Sequence, residues 1–274
     1  MIKQVLVATG NDPNLVHIIT GYGEAGQALV SSKLVDKIIF TGSTAVGKKV
    51  MAGAATVVKP VVLELGGKDP MIICDDANLA NVIPLVVKSV FQNAGQNCVA
   101  PERIYVYDAI FDAFCDGITP LVKQLRQGPH PSAIPQMHDV KVMDVGAMVM
   151  PAQLDIIQEL VDDAVHHGAV ILCGGTKGSY GKGNFYTPTI IVQVTQEMRI
   201  VQEETFGPVV LILKVKDDNH LLEIVNDCPF GLGSSVFSSN IPRAKTIGRH
   251  LRSGMTVNND FGKSTALLPY LFLY

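Results

Sequence analysis

Charge is scarce in this sequence: Asp, Glu, Lys and Arg make up only 17% of its 274 residues, against 47% hydrophobic ones. A chain this apolar can offset its ordering entropy by burial, so the composition is that of a folded protein. The charges present sum to −3 and are mixed along the chain. Without a basic stripe, neither nucleic acid nor an anionic membrane surface is an expected partner, which leaves a small molecule. Long apolar runs are also lacking, and none approaches the ~20 residues that span a bilayer. The opening residues read as the inside of an amphipathic helix, not as a signal peptide. The five cysteines (Cys74, Cys98, Cys115, Cys173, Cys228) form no C-x-x-C pair. An odd, unpatterned set points to a reducing compartment, the cytoplasm by expectation, and to at most one special thiol. No Cys and His cluster has ligand spacing, so no metal is expected; His166 and His167 adjoin on a predicted helix and point apart.

What is there is an alternation of short apolar runs with longer segments of helical period. Strands are predicted at Val16–Thr20, Lys37–Phe40, Val61–Leu65, Pro70–Cys74, Arg103–Tyr107, Val170–Cys173, Pro208–Lys214 and Ser234–Phe237. Helices are predicted at Glu24–Ser31, Thr44–Thr56, Ala77–Gln92, Ala109–Gln127, Pro151–His167, Asn219–Asp227 and Ile241–Arg252. Strands joined by helices imply crossover connections and a largely parallel sheet, hence an α/β fold. Such sheets bind ligands at the carboxyl ends of their strands, where the glycine turns of this sequence fall. Both ends read as internal or altered: the start lies inside a helix, and residues 264–274 form an atypical apolar tail without polar alternation.

Three places carry potential chemistry. Cys98 lies in a glycine- and amide-rich loop, Phe91–Arg103 (F-Q-N-A-G-Q-N-C-V-A-P-E-R). Loop N–H groups there would favour a thiolate and the oxyanion formed after its attack; the alternative is a small buried hydrophobe. Glu64 sits in an apolar strand-like run closed by Gly66 and Gly67. It is either a desolvated base tuned toward neutral pH or a residue on an exposed strand face. Phe40–Lys48 (F-T-G-S-T-A-V-G-K) gives strand, glycine turn and helix start, offering free N–H groups and the Ser43 hydroxyl to a phosphate, or simply an N-cap. A P-loop phosphotransferase is disfavoured because Lys49 stands where Ser or Thr would hold magnesium.

The order F-T-G-S-T-x-V-G at Phe40–Gly47, L-E-L-G-G-K at Leu63–Lys68, G-Q-x-C at Gly95–Cys98 and E-E-x-F-G-P-V at Glu203–Val209 resembles the aldehyde dehydrogenase superfamily over about residues 1–263. The resemblance implies a partial NAD(P)-binding domain over 1–66 and a catalytic domain over 67–263. It implies oxidation of an aldehyde to a carboxylic acid with NAD or NADP. Cys98 would attack the carbonyl to give a thiohemiacetal and then a thioester, and Glu64 would activate water to release the acid. Gly42, Ser43 and Gly47 would lie against the pyrophosphate, Gly23 on the adenosine side, Glu204 at the nicotinamide ribose and Phe206 near the ring. Lys68 would fix nearby carboxylates, and Val99 suggests an apolar pocket lining. Relatives form dimers or tetramers, so a homo-oligomer is expected, with Thr44–Thr56 as a contact. Ala45 departs from the family's usual Glu. The oxyanion-hole Asn, the ribose-binding Lys and the closing intersubunit strand have no counterpart here, and loss of one oxyanion donor costs roughly 100- to 1,000-fold in rate. An inactive fragment acting through interactions is therefore the alternative.

Overall fold

A computed structural model describes residues 1–129, 143–178 and 183–261. The chain divides into two compact units, Met1–Leu65 and Gly66–Tyr274.

In the first unit, helix α1 (Ile2–Ala8) is followed by α2 (Gly23–Ser31), β1 (Ile38–Thr41), α3 (Thr44–Ala55) and β2 (Val61–Glu64). β1 and β2 pair in parallel, with Ile38 opposite Val61 and Thr41 opposite Glu64, so α3 is their crossover. Ser43 caps α3 by accepting from the Val46 N–H at 3.4 Å. The Lys59 ammonium donates to Leu29 O (3.3 Å), Val30 O (2.8 Å) and Ser32 O (2.7 Å), supplying a cation to carbonyls at the end of α2.

The second unit holds β3 (Asp69–Ile73), α4 (Leu79–Phe91), β4 (Pro101–Tyr107), α5 (Asp108–Lys123), α6 (Pro151–His166), β5 (Val170–Cys173), β6 (Thr189–Val192), α7 (Arg199–Gln202), β7 (Val209–Val215), α8 (Asp218–Val225), β8 (Gly233–Phe237), α9 (Ile241–Arg249) and β9 (Met255–Asn258). Seven strands form one sheet in the order β5-β6-β7-β4-β3-β8-β9, parallel except where β5 meets β6. β3 and β4 lie centrally and are buried along their whole length, which is why they read as continuous apolar runs rather than alternating ones. Their ladder is irregular: Asp69 pairs with Pro101 but Pro70 pairs with Arg103, leaving Glu102 as an extra residue on β4. Pro70 has no N–H to donate, a usual companion of a bulge.

The α/β architecture and the mostly parallel sheet agree with the sequence. One predicted strand does not form. Val16–Thr20 has no ladder partner among the described residues, and Ile18 and Ile19 are 68% and 61% exposed; β propensity without a neighbouring strand does not make a strand. Three elements were not anticipated. β6 and β9 are four-residue strands that packing defines, and α7 is a single turn. The apolar tail at 264–274 lies outside the described residues. Among the described residues no helix is long and apolar enough to cross a membrane.

Truncating Ile104, fully buried in central β4, to alanine should cost about 2–5 kcal/mol in chemical denaturation. A loss well under 1 kcal/mol would mean that β4 is not at the core.

Candidate active site

The loop carrying Cys98 is built by an abrupt reversal after α4. Asn93, Ala94 and Gly95 are consecutively left-handed (φ 54°, 56° and 70°). Such backbone is strained for the first two residues, whereas Gly95 is required for space, since a Cβ there would lie 2.1 Å from Gly207 O. The reversal is held by side-chain amides. Asn93 Nδ2 donates to Gln96 O (2.8 Å), Gln96 Nε2 donates to Asn93 O (3.0 Å), and Gln96 Oε1 accepts from the Val149 N–H (2.8 Å).

Cys98 is half-buried within this loop. Its thiol lies 3.9 Å from Asn97 Oδ1, which also accepts from the Val99 N–H at 3.3 Å. Burial, followed by the charges of Asp69 and then Glu204, pushes the thiol above its ordinary value, while the N–H groups of Cys98 and Val99 favour the thiolate. Burial pushes Cys74 up to about 12 and Cys115 to about 11.

Two glycines bring other groups close. A Cβ on Gly67 would meet Cys98 O at 2.3 Å and Asp69 Oδ1 at 2.6 Å, and one on Gly66 would meet Glu204 Oε2 at 2.2 Å. In return the Gly67 N–H donates to Glu204 Oε1 at 3.2 Å. The Glu204 carboxyl is pushed up to about 7, first by burial and then by the Glu102 charge, against the pull of Gly67 N–H and Lys68. Phe206 sits at φ 44°, and its N–H donates to Glu102 Oε1 at 2.9 Å. Lys68, fully buried, holds Glu102 Oε2 at 2.5 Å.

In the first unit, the Gly42 N–H donates to Glu64 O at 3.1 Å, bringing the turn after β1 beside the end of β2. A Cβ on Gly42 would strike the Phe40 ring at 2.6 Å, and one on Gly47 would reach Leu65 Cδ2 at 2.5 Å. Glu64 is half-buried at the carboxyl end of its strand. Gly23 begins α2 with open space around it and lines a cleft of ≈620 Å³ with Gly26, Leu29, Phe40, Val46 and Lys49; Gly42, Ser43 and Gly47 do not line that cleft. The sequence-predicted residues thus form two groups: Gly23, Gly42, Ser43, Gly47 and Glu64 in the first unit, and Cys98, Glu204 and Phe206 in the second.

Sequence reasoning missed Asn97, Asp69 and Glu102. Asp69 is buried, its carboxyl raised well above the ordinary value by burial, and its Oδ1 has no hydrogen-bond partner. The available signal for Glu102 was its place at the head of an apolar strand, where a charge is costly unless paired. Among the described residues no three His, Cys, Asp or Glu side chains cluster as metal ligands.

The profile of the "Aldehyde dehydrogenase family" matches residues 1–270. An aldehyde dehydrogenase-like protein of Schizosaccharomyces pombe is 38% identical over 265 residues, covering 96% of this chain and 49% of its own. The crystal structure of an NAD-dependent aldehyde dehydrogenase from Sinorhizobium meliloti superposes with TM-score 0.88 at 32% identity, covering 95% of this chain and 50% of that one. Betaine aldehyde dehydrogenase from Staphylococcus aureus, solved in complex with NAD+, gives 0.82 at 33% identity, covering 89% of this chain and 48% of that one. The chain spans about half the length of the curated relatives it matches.

Folded Glu204 holds its proton more tightly than an unfolded glutamic acid, whose ordinary value is 4.5. Its ionisation therefore costs no stability below about pH 4.5, and the cost grows as pH rises toward 7 and persists above it. Glu204→Gln should match the parent in thermal unfolding at pH 4 and exceed it at pH 8. An equal difference at both pH values would refute the raised carboxyl.

Proposed function

Because the chain belongs to the aldehyde dehydrogenase family, we propose that it serves NAD(P)-dependent oxidation of an aldehyde to a carboxylic acid, with Cys98 as nucleophile. The observation that carries this reading is the Cys98 loop itself: a half-buried thiol faced by two backbone N–H groups at the end of a strained, amide-pinned reversal. The thiolate forms a C–S bond to the carbonyl carbon, and the carbonyl oxygen takes up the negative charge; N–H groups that favour a thiolate are suitably placed to favour that alkoxide. Glu64 takes the proton from the water that later cleaves the thioester, returning the thiol.

Residues 1–66 are read as the nucleotide-binding part and 67–263 as the catalytic part. The free N–H groups at the start of α3, the Ser43 hydroxyl and the glycines at 42 and 47 fit a pyrophosphate, and the cleft bordered by Gly23 fits an adenosine. Glu204 and Phe206 fall to the nicotinamide ribose and ring. When bound, the nicotinamide accepts the hydride that the aldehyde carbon gives up.

A second reading, a non-catalytic chain that acts through association, is favoured by one observation. β1 pairs only with β2 among the described residues, and its Ile39 is 71% exposed. Open strand edges of this kind promote pairing with other chains.

Three measurements decide between these. The purified chain, given an aldehyde and NAD+ or NADP+, should reduce the nucleotide, and Cys98→Ser should abolish the reaction. With iodoacetamide, Cys98 should be labelled ahead of the fully buried Cys74. Failure to bind either nucleotide at millimolar concentration would favour the non-catalytic reading.

A further inference from the structure

Glu102 is the residue that the β3–β4 bulge sets apart from the ladder. Bulges of this kind re-aim a side chain, and here the carboxylate is turned into the protein. It gathers four donors: Lys68 Nζ at 2.5 Å, Thr205 N–H at 2.9 Å, Thr205 Oγ1 at 2.7 Å and Phe206 N–H at 2.9 Å. Both partners of the ion pair are out of solvent, with side-chain exposures of 0% and 3%. The segment is held from its other side as well, since Gln153 Nε2 donates to Thr205 O at 2.8 Å.

We propose that Glu102 is a positioning residue: its carboxylate fixes the backbone of Thr205 and Phe206, and so presents Glu204 and Phe206 to the nicotinamide side of the cofactor. The proposal rests on the dehydrogenase reading for what Glu204 and Phe206 contact, but not for how they are held. Phe206 is kept left-handed, a conformation that costs a non-glycine residue about 1–3 kcal/mol unless its surroundings impose it. Glu102 supplies that constraint through two successive N–H groups. Glu102 also acts on Glu204 by charge. The titratable groups coupled to Glu204 are Glu102 on β4, Lys68 before β3, Asp69 on β3 and Cys98 in the loop, and of these only Lys68 favours its ionised form.

Glu102→Gln keeps the size of the side chain but loses the charge, and Thr205→Val deletes one donor while leaving the buried pair intact. In the full chain, amide hydrogen exchange at Thr205 and Phe206 should accelerate about tenfold or more in Glu102→Gln. Carboxyl NMR should show Glu204 titrating below its parent midpoint of about 7, because a like charge has gone and Lys68 has lost its partner. The dissociation constant for NAD+ should rise about tenfold. Should Glu102→Gln fail to fold, Thr205→Val carries the test through the same exchange and NAD+ readouts, with smaller changes in the same direction. Unchanged exchange and an unchanged Glu204 titration in the folded variants would overturn the role of Glu102. A parent chain that binds no NAD+ while both effects persist would instead sink the cofactor reading and leave Glu102 as the anchor of this segment.

Discussion

The contact between Lys68 and Glu102 is an ion pair withdrawn from solvent, with side-chain exposures of 0% and 3%. Two charges withdrawn from water each lose several kcal/mol of solvation, and their attraction alone does not reliably recover it. Recovery here comes from saturation: the carboxylate accepts from Lys68, Thr205 and Phe206. Arg103, beside it on β4, is buried too and donates to Lys68 O, Tyr105 Oη and Val225 O. A polar seam therefore crosses a core of otherwise apolar strands. Removing one partner of such a pair costs about 3–5 kcal/mol, because it strands the other charge. The seam ties the start of β3 to β4 through Lys68, whose ammonium meets Glu102 and whose carbonyl accepts from Arg103.

From that seam the geometry extends by close approach. Gly66 and Gly67 follow β2 where no side chain has room, because Glu204 and Cys98 O occupy the positions their Cβ atoms would take. Gly95 is likewise pressed against Gly207 O. The first two contacts join the neighbourhood of Lys68 to the 203–207 segment and to the Cys98 loop, and the third joins that loop to that segment. Backbone strain is present at the same places: Asn93, Ala94 and Phe206 are three of the six non-glycine residues with positive φ among the described residues. Strain of this sort persists only where the surrounding structure over-determines it, and the pinning by Gln96 and Glu102 meets that condition.

How much of this was legible in the sequence follows from which interactions are local. Buried parallel strands announce themselves as apolar runs, so β3, β4, β7 and β8 were readable. The turn after β1 was readable from Gly42 and Ser43, whose requirements are met within a few residues. Val16–Thr20 misled because strand propensity does not reveal whether a neighbour exists. β6 and β9 went unread because four apolar residues carry no period. Glu102 could not be interpreted because its meaning depends on a register shift and on partners more than a hundred residues later. The two glycines of the L-E-L-G-G-K segment were read as closing an apolar run, and it took the fold to show that they make room for a carboxylate and a carbonyl.

The acids around Cys98 pose a last question of sign. A thiolate forms poorly among anions, and both Asp69 and Glu204 push the thiol upward. Yet burial raises each of these carboxyls in turn, Glu204 to about 7 and Asp69 well above its ordinary range. Near pH 7 Glu204 is therefore about half protonated, which reduces the repulsion it would otherwise impose, and burial disfavours the charge on Asp69 in the same sense. Glu102 differs from both in its surroundings, because Lys68 and three further donors satisfy its carboxylate. The site thus sets one fully hydrogen-bonded carboxylate beside two acids that burial weakens. The two N–H groups at Cys98 and Val99 then act on the sulfur chiefly against burial, which remains the largest influence raising the thiol.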